Sequence, residues 1–297
     1  MALDLEAARA FIEVAAQGSF TKAASALNVS KSRVSLAVSA LEKELGGRLL
    51  LRTTRAVRLT PEGEQLLPRA QRLVHDADQL SALFAAPSSI TGRLRVDLPV
   101  TLARDVIIPR LPEFCAAHPL LELQVSVTDR LVDVLRDGFD CVLRVGVLTD
   151  SSLNATRLGV LPMMNCASAA YLQRYGVPES LRDLESHYVV HYAHRLGEEE
   201  PVFAHGREEK PMRALITVNN VDAYHAACLA GFGIGQVGRV STVMTAALAN
   251  GTVREVLPRF TAPALPVSLV HGYGRSVPRR VRAFMAWLQR LLKPTLK

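Results

Sequence analysis

Residues 18–46, GSFTKAASALNVSKSRVSLAVSALEKELG, contain two short amphipathic helical patterns on either side of a tight turn. An apolar helical pattern precedes them, and Gly18 is placed to end that first helix. Thr21 is the predicted N-cap of the second helix and Ser30 that of the third. Asn28 lies in the turn between them, where it tolerates a left-handed backbone. The stretch therefore predicts a helix-turn-helix.

The third helix has two faces of different character. Val34, Val38 and Leu41 follow one another at steps of four and three, which predicts a buried face. The other face carries Lys31, Ser32, Arg33, Ser35, Leu36 and Ser39. Cations and hydroxyls near the N-terminus of a second helix suit the major groove of DNA, where an arginine can bind guanine. An ordinary helical hairpin with a solvated basic face fits this spacing equally well.

The next segment favours the DNA-binding alternative. Residues 49–60, LLLRTTRAVRLT, place two strand-like ends around a basic turn, which is the pattern of a wing. Arg52 and Arg55 are positioned there to bind phosphates or the minor groove. Residues 1–60 hold nine basic and five acidic side chains, a net charge of +4, in a chain whose formal net charge is +7. A polyanionic partner is therefore expected for this end of the chain.

These motifs together resemble the signature of LysR-type transcriptional regulators. The similarity covers about sixty residues, from Gly18-Ser19-Phe20-Thr21 through Leu27-Asn28-Val29-Ser30 and Arg52-Thr53-Thr54 to Leu59-Thr60-Pro61. It implies a helix from Ser30 in the major groove and a wing in the flanking minor groove. The DNA-binding residues that follow from motif and resemblance are Thr21, Ser30, Lys31, Ser32, Arg33, Ser35, Ser39, Arg52, Thr53, Thr54 and Arg55. Leu36 departs from the family, which usually has a polar or basic residue there, and Leu50 replaces the usual phenylalanine.

A long helix is predicted for residues 60–86. Thr60 is its expected N-cap, Pro61 is its first residue, and Pro68 inside it is expected to kink it or remove one hydrogen bond. A 3.5-residue apolar period predicts a coiled-coil dimer seam, with packing on its own domain as the alternative. The seam consists of Leu66, Ala70, Leu73, Ala77, Leu80 and Phe84. In the family this helix pairs two subunits.

The remaining chain alternates strand-like runs with helical patterns, which predicts an α/β domain. Residues 94–98, 121–127 and 141–145 are predicted strands, with helices at about 102–117 and 130–137 between them. A second unit starts near Met163, and a last strand (267–271) and helix (277–292) return to the first. This organisation resembles the periplasmic-binding-protein-like sensor domain of LysR-type regulators. The predicted fold class is α/β, with an N-terminal winged helix-turn-helix, a long linker helix and a two-subdomain C-terminal effector domain.

The predicted domains are a DNA-binding domain (1–59), a dimerisation helix (60–86), a hinge (87–92) and an effector domain (93–297). Subdomain I of the effector domain comprises about 93–162 and 269–297, and subdomain II about 163–268. Ligands in such domains bind at helix N-termini and strand ends, where free N–H groups favour an anion. The residues selected by this rule are Pro99, Val100, Thr101, Thr128, Arg144, Gly146, Val147, Cys166, Ser168, Asn219, Val221 and Gln236. Helix capping is the alternative for Thr101 and Asn219, and an ion pair with Asp140 or another acid is the alternative for Arg144.

Three other motifs are interpreted structurally. Residues 233–238, GIGQVG, match the dinucleotide fingerprint by letters but follow a helix, so a turn is expected. His187, His191 and His194 do not share one strand face, and neither a metal nor a cofactor is predicted. The four cysteines form no CxxC pair and are expected to be reduced, although Cys166 near the hinge leaves a thiol sensor open. The N-terminal segment has no apolar signal core, so a cytoplasmic protein without membrane contact is expected.

The sequence thus predicts a ligand-responsive transcription regulator and not an enzyme. Its expected partners are double-stranded operator DNA with palindromic half-sites, a small-molecule effector for which a carboxylate is one class, a second copy in a dimer or dimer of dimers, and RNA polymerase. The alternative is a cytoplasmic small-molecule-binding or enzymatic α/β protein with a basic interaction head.

Overall fold

A computed structural model describes residues 4–52, 57–83, 90–130, 132–134, 137–148, 153–274 and 277–297. It divides into two compact units, Met1–Ser89 with Leu135–Gly138 and Ile90–Val134 with Phe139–Lys297. We call them the N-terminal unit and the effector unit. Among the described residues, no helix combines the length and apolar character that a membrane crossing requires.

The N-terminal unit is a winged helix-turn-helix followed by a long helix. Its elements are α1 (Leu5–Gln17), α2 (Phe20–Ala26), α3 (Lys31–Leu45), β1 (Leu50–Arg52), β2 (Val57–Leu59) and α4 (Pro61–Leu83). Phe11, Val34 and Val38 are at most 1% exposed at the centre of its core. Gly18 and Asn28 have φ values of 58° and 55°, which confirms the predicted helix end and the left-handed turn.

The N-cap of α2 was predicted two residues too late. Ser19, and not Thr21, caps this helix by accepting a hydrogen bond from the N–H of Lys22. Phe20 is a buried residue of the helix itself, so Thr21 already lies inside the first turn, where its carbonyl accepts from Ser25 Oγ. Ser30 caps α3 as predicted, with its Oγ accepting from the N–H of Arg33 at 3.3 Å.

The strands of the wing, β1 and β2, pair antiparallel, with Leu50 opposite Leu59 and Arg52 opposite Val57. The predicted DNA contacts Thr53, Thr54 and Arg55 lie outside the described residues, as does the side chain of Arg52. The wing is therefore described by its two strands, and its turn residues stay a prediction.

Helix α4 begins as predicted and continues through Pro68. Its N-cap is Thr60, whose Oγ1 accepts from the N–H of Gly63 at 3.0 Å. The first half of α4 is not available as the predicted dimer seam, because Ala70 is 3% exposed and Leu66 is partly buried against the core of the same unit. Leu73 is 40% exposed. Phe84 and the side chain of Leu80 lie outside the described part of the chain.

The effector unit is an α/β structure with one five-stranded sheet, one three-stranded sheet and two strand pairs. Its strands are β3 (Gly92–Leu98), β4 (Leu121–Val127), β5 (Cys141–Val145), β6 (Asn154–Leu161), β7 (Met163–Ser168), β8 (Tyr188–Tyr192), β9 (Val202–His205), β10 (Glu208–Pro211), β11 (Arg213–Val218), β12 (Gly235–Gly238), β13 (Val253–Glu255) and β14 (Leu265–His271). Its α-helices are α5 (Val100–Leu102), α6 (Leu111–Ala117), α7 (Ala169–Tyr175), α8 (Val221–Ala230), α9 (Thr242–Ala249) and α10 (Arg279–Leu292).

The five-stranded and the three-stranded sheet define two lobes. Lobe I contains the sheet β4-β3-β5-β14-β6, in which β3 is parallel to both of its neighbours, and its core includes residues of α10. Lobe II contains β12-β7-β13 and the parallel pair β11-β8, and a bridge between Val189 and Ile234 connects them. The chain returns to lobe I at Leu265, slightly before the position expected from the sequence.

Several predicted elements differ from the structure. The helix predicted at 102–117 is divided into α5, a π-helical turn (Ala103–Ile107), a 3-10 turn (Ile108–Arg110) and α6. Pro109 and Pro112 remove two N–H donors there, so one continuous α-helix is not favourable. The described residues of the segment 130–137 form no helix, and Val134 instead packs with Val142 and Val270.

The glycine-rich segment forms a strand where a turn was predicted. Gly235–Gly238 is β12, paired antiparallel with β7. A Cβ atom at Gly233 would lie 2.6 Å from the carbonyl oxygen of Tyr188, so glycine lets this backbone approach β8 closely. Strands β6, β9 and β10 were not predicted from the sequence.

Candidate functional site

The first candidate site is the exposed face of α3. Lys31, Ser32, Arg33, Leu36 and Ser39 are exposed, and Ser35 is half-buried. The buried residues of the helix lie on the other side, in the core of the N-terminal unit. The structure therefore brings the predicted groove-facing residues together on one surface, with Thr21 of α2 also exposed.

Arg33 is held by an acid in this chain. Its guanidinium donates to Oε2 of Glu6 on α1 at 3.1 Å, and both side chains are more than two-thirds exposed. Exposed pairs of this kind contribute little to stability. The arginine that the sequence assigns to base recognition thus has a surface partner that DNA would have to replace.

The second candidate site lies between the two lobes of the effector unit. Asp129, just after β4, accepts two backbone hydrogen bonds, from Val100 N to Oδ1 at 3.1 Å and from Val221 N to Oδ2 at 2.8 Å. Val100 belongs to lobe I and Val221 is the first residue of α8 in lobe II. The N–H groups that the sequence predicts to bind an anionic ligand therefore bind the side chain of Asp129 in this structure.

A second acid makes a parallel connection. Asp105 of lobe I accepts from the N–H of Thr242, the first residue of α9, at 2.9 Å. Arg104 pairs with Asp105 at 2.6 Å and also with Asp222 on α8. Burial raises the pKa of Asp105, but the hydrogen bonds from Arg104 and Thr242 outweigh it and hold that pKa below its ordinary value. We call Arg104, Asp105, Asp129 and Asp222 the interlobe clasp.

A cavity of about 530 Å³ lies in lobe II beside this clasp. Its walls include Tyr192, Tyr224 and Gln236, and Glu199 lies at its exposed edge. Burial is the main cause that raises the pKa of Tyr192, and the nearby negative charge of Asp129 raises it further. Tyr192 therefore lines the cavity and also interacts electrostatically with Asp129 of the clasp.

Other predicted effector residues have structural partners. Arg144 pairs with the buried Asp97 at 3.0 Å, which is the structural ion pair with an acid other than Asp140 that the sequence left open as an alternative. Ser168 caps α7, and Thr128 accepts from the N–H of Arg130. Gln236 Nε2 donates to Asn165 Oδ1 at 2.9 Å and to the carbonyl of Ala204 at 2.8 Å. These side chains are therefore already paired in this chain.

The remaining predicted effector residues are spread over different environments. Pro99 precedes α5, and the buried Oγ1 of Thr101 has no hydrogen-bond partner within the described residues. Gly146 N donates to the carbonyl of Pro266, and Val147 is 84% exposed. Asn219 is exposed, and the cap of α8 is its neighbour Asn220.

Cys166 is fully buried in the core of lobe II and does not reach the cleft. Burial raises the pKa of its thiol to about 12, with Glu255 adding to the shift. A thiol of this kind carries almost no thiolate near neutral pH, so it is not a reactive redox group.

The histidines of the predicted non-metal cluster have hydrogen-bond partners within the protein. His187 is hydrogen-bonded to Tyr171 Oη, and His191 to the carbonyl oxygen of Glu199. Within the described ranges, no group of three or more potential ligands is placed to hold a metal ion.

Comparison with known proteins assigns both units. A family profile described as "Bacterial regulatory helix-turn-helix protein, lysR family" matches residues 5–64, and "LysR substrate binding domain" matches residues 87–293. This chain belongs to the LysR family of transcriptional regulators. It is therefore a DNA-binding regulator with an effector-binding domain, as the sequence predicts.

Similar proteins extend over nearly the whole of this LysR-type regulator. The uncharacterized HTH-type transcriptional regulator YhjC of Escherichia coli (strain K12) is 42% identical, over 98% of this chain and 99% of that protein. An HTH-type transcriptional repressor of Pseudomonas aeruginosa (strain UCBPP-PA14) is 38% identical, over 97% and 92%. These relatives are named regulators, and the chain is not an enzyme; the enzymatic alternative from the sequence is wrong.

Solved structures share the fold of this LysR-type regulator. CrgA of Neisseria meningitidis, a LysR-type transcriptional regulator, is 27% identical with a TM-score of 0.59, over 96% of this chain and 97% of that one. A full-length OxyR variant from Pseudomonas aeruginosa is 19% identical with a TM-score of 0.72, over 98% and 95%. At that lower identity the likeness concerns the fold alone.

The sequence analysis missed the clasp residues of this LysR-type regulator. Asp129 and Val221 are 92 positions apart, and Arg104 and Asp222 are 118 apart. The rule about helix N-termini selected Val100 and Val221, and their shared partner could have been sought among the acids that follow β4. The sequence does not show which acid it is.

Proposed function

We propose that this regulator binds a palindromic operator with α3 in the major groove and the wing in the adjacent minor groove. The observation that carries the proposal is the single exposed face of α3, where two cations and three hydroxyl groups converge near the helix N-terminus. The proposed contacts are Thr21, Ser30, Lys31, Ser32, Arg33, Ser35, Ser39, Arg52, Thr53, Thr54 and Arg55. The proposed domains remain 1–59, 60–86, 87–92 and 93–297.

We further propose that two copies pair through the second half of α4, in a dimer or a dimer of dimers. Leu73 is exposed on this helix, and it continues the 3.5-residue period after Ala70. Two copies related by a twofold axis present two copies of α3, which matches palindromic half-sites. We also propose that the DNA-bound regulator acts in the cytoplasm and contacts RNA polymerase there.

The proposed effector site is the cleft at Asp129 together with the cavity lined by Tyr192. A small carboxylate is the proposed class, because the N–H groups of Val100 and Val221 already bind a carboxylate in this chain. Such a ligand would take the place of the Asp129 side chain and so change the contact between the lobes. Effector binding and lobe movement are thereby linked.

The DNA-binding proposal is tested by comparing two arginine variants on operator and random DNA. Arg33→Ala should lower operator affinity by about tenfold and reduce the preference over random DNA, since a base contact is worth about 1–3 kcal/mol. Arg110→Ala is the matched control, because it removes an exposed arginine paired with Glu113 in the effector unit. Fluorescence anisotropy at several salt concentrations measures both. Equal losses on operator and random DNA would contradict base recognition by Arg33.

A further inference from the structure

Leu36 is an apolar side chain on a surface that is otherwise polar. It is 73% exposed, more than any other large hydrophobic side chain in the described part of the N-terminal unit. It lies one helical turn from Ser32 and close to Ser39 on the same face of α3. Leu36 is not part of the hydrophobic core of this unit, so it does not stabilise the fold by being buried.

The major groove gives such a side chain one suitable partner. Base-pair edges there present hydrogen-bond donors and acceptors, and the apolar group among them is the C5 methyl of thymine. A leucine placed over a polar edge would remove water from it without replacing the lost hydrogen bonds, which is unfavourable. Contact with a methyl group instead buries apolar surface on both sides.

We propose that Leu36 determines sequence preference by packing against the C5 methyl group of one thymine in each half-site. The inference rests on the proposed function, because it needs α3 in the major groove. Ser30 fixes the start of the helix, and the buried Val34 and Val38 fix its rotation against the unit. Leu36 therefore has a defined direction outward before any DNA is bound.

The test removes the methyl group from the DNA and the side chain from the protein. A binding site is first selected from random duplexes with the full chain. Each thymine of one half-site is then replaced by deoxyuridine, which lacks only the methyl group. For the unmodified chain, one replacement should weaken binding about fourfold, the value of one buried methyl group. For Leu36→Ala, the thymine and deoxyuridine duplexes should bind equally.

Two further variants make the outcome specific. Leu36→Met keeps an apolar side chain and should retain most of the methyl dependence. Leu5→Ala removes a partly exposed leucine of α1 outside this face and should leave the fourfold difference unchanged. Circular dichroism melts verify that each variant is folded.

The results separate this inference from the proposal on which it rests. If the unmodified chain binds the selected site but no deoxyuridine replacement weakens binding, the role of Leu36 is wrong and the DNA-binding proposal stands. If Leu36→Ala keeps the fourfold difference, another group contacts the methyl. If no duplex is bound, both proposals fail.

Discussion

At the scale of single residues, the pair of Arg33 and Glu6 sets a small barrier to DNA binding. The acid lies 3.1 Å from the guanidinium on a surface where phosphates are expected. Its negative charge opposes the approach of DNA, and its hydrogen bond must break before Arg33 can bind a base. If Arg33 binds a base as proposed, Glu6 stabilises the free chain slightly at the expense of the complex.

We expect Glu6→Gln to raise operator affinity by about two- to fivefold at low salt, which corresponds to the small energy of an exposed ion pair. The gain should shrink as salt screens the charge. Anisotropy titrations from low to physiological salt measure it. Glu13→Gln removes the same charge from the same helix away from Arg33 and should have a smaller effect. A Glu6→Gln variant that binds DNA less tightly than the unmodified chain would refute this role.

At the scale of elements, the sequence predicted what depends on local pattern. The bounds of α3, the cap at Ser30 and the strands β4 and β5 follow from periodicity, turn chemistry and apolar runs. Strand β6 escaped prediction because its first four residues are all exposed, so its first half has no apolar run. The partners of Asp129 escaped because hydrogen bonds from distant backbone N–H groups to a side-chain carboxylate leave no local signal.

The clasp gives the clearest prediction at this scale. Asn at position 129 keeps one carbonyl acceptor but turns an NH2 group toward a backbone N–H, and it loses the negative charge at the N-terminus of α8. We expect Asp129→Asn to weaken the contact between the lobes and to destabilise the effector unit by about 1–3 kcal/mol. The distance between the lobes should increase or broaden.

The distance is measurable by electron-spin resonance between a spin label on the exposed Cys115 of lobe I and one on Glu185→Cys of lobe II. Asp183→Asn is the matched control, since Asp183 also accepts two backbone N–H groups at 2.9 Å, from Glu179 and Ser180, but within lobe II. That variant should leave the interlobe distance unchanged. An unchanged distance in Asp129→Asn would show that the clasp does not hold the lobes together.

At the scale of the whole molecule, the hydrophobic clusters and the buried histidines with lowered pKa values are divided unevenly between the two units. One cluster lies within residues 7–70, and the other four lie between residues 94 and 296. Burial lowers the pKa of His187, His225 and His271, with the positive charge of Arg104 adding to the effect at His225. All three belong to the effector unit.

The sign of the pH effect follows from these lowered pKa values. Because these pKa values are lowered in the folded unit, below about pH 6.5 the unfolded chain binds more protons than the folded unit does, so acid favours unfolding. A histidine protonated only in the unfolded chain destabilises the folded unit by at most about 1.4 kcal/mol per pH unit below pH 6.5. Acids with lowered pKa, such as Asp105 and Asp183, lose their contribution only at lower pH, because their ordinary value is 3.8. Between pH 7.5 and 5.5, the histidines therefore dominate.

We expect the melting temperature of the effector unit to fall as pH decreases from 7.5 to 5.5, and a fragment of residues 90–297 to reproduce the change. His225→Gln should reduce the pH dependence, because its imidazole is 3% exposed and surrounded by Arg104, Asp105, Asp129, Asp222 and Ser241. The exposed His194 provides the control variant His194→Gln, which should keep the full dependence. A fragment whose melting temperature is constant or rises over this pH range would show that the buried histidines do not control the acid stability of this unit.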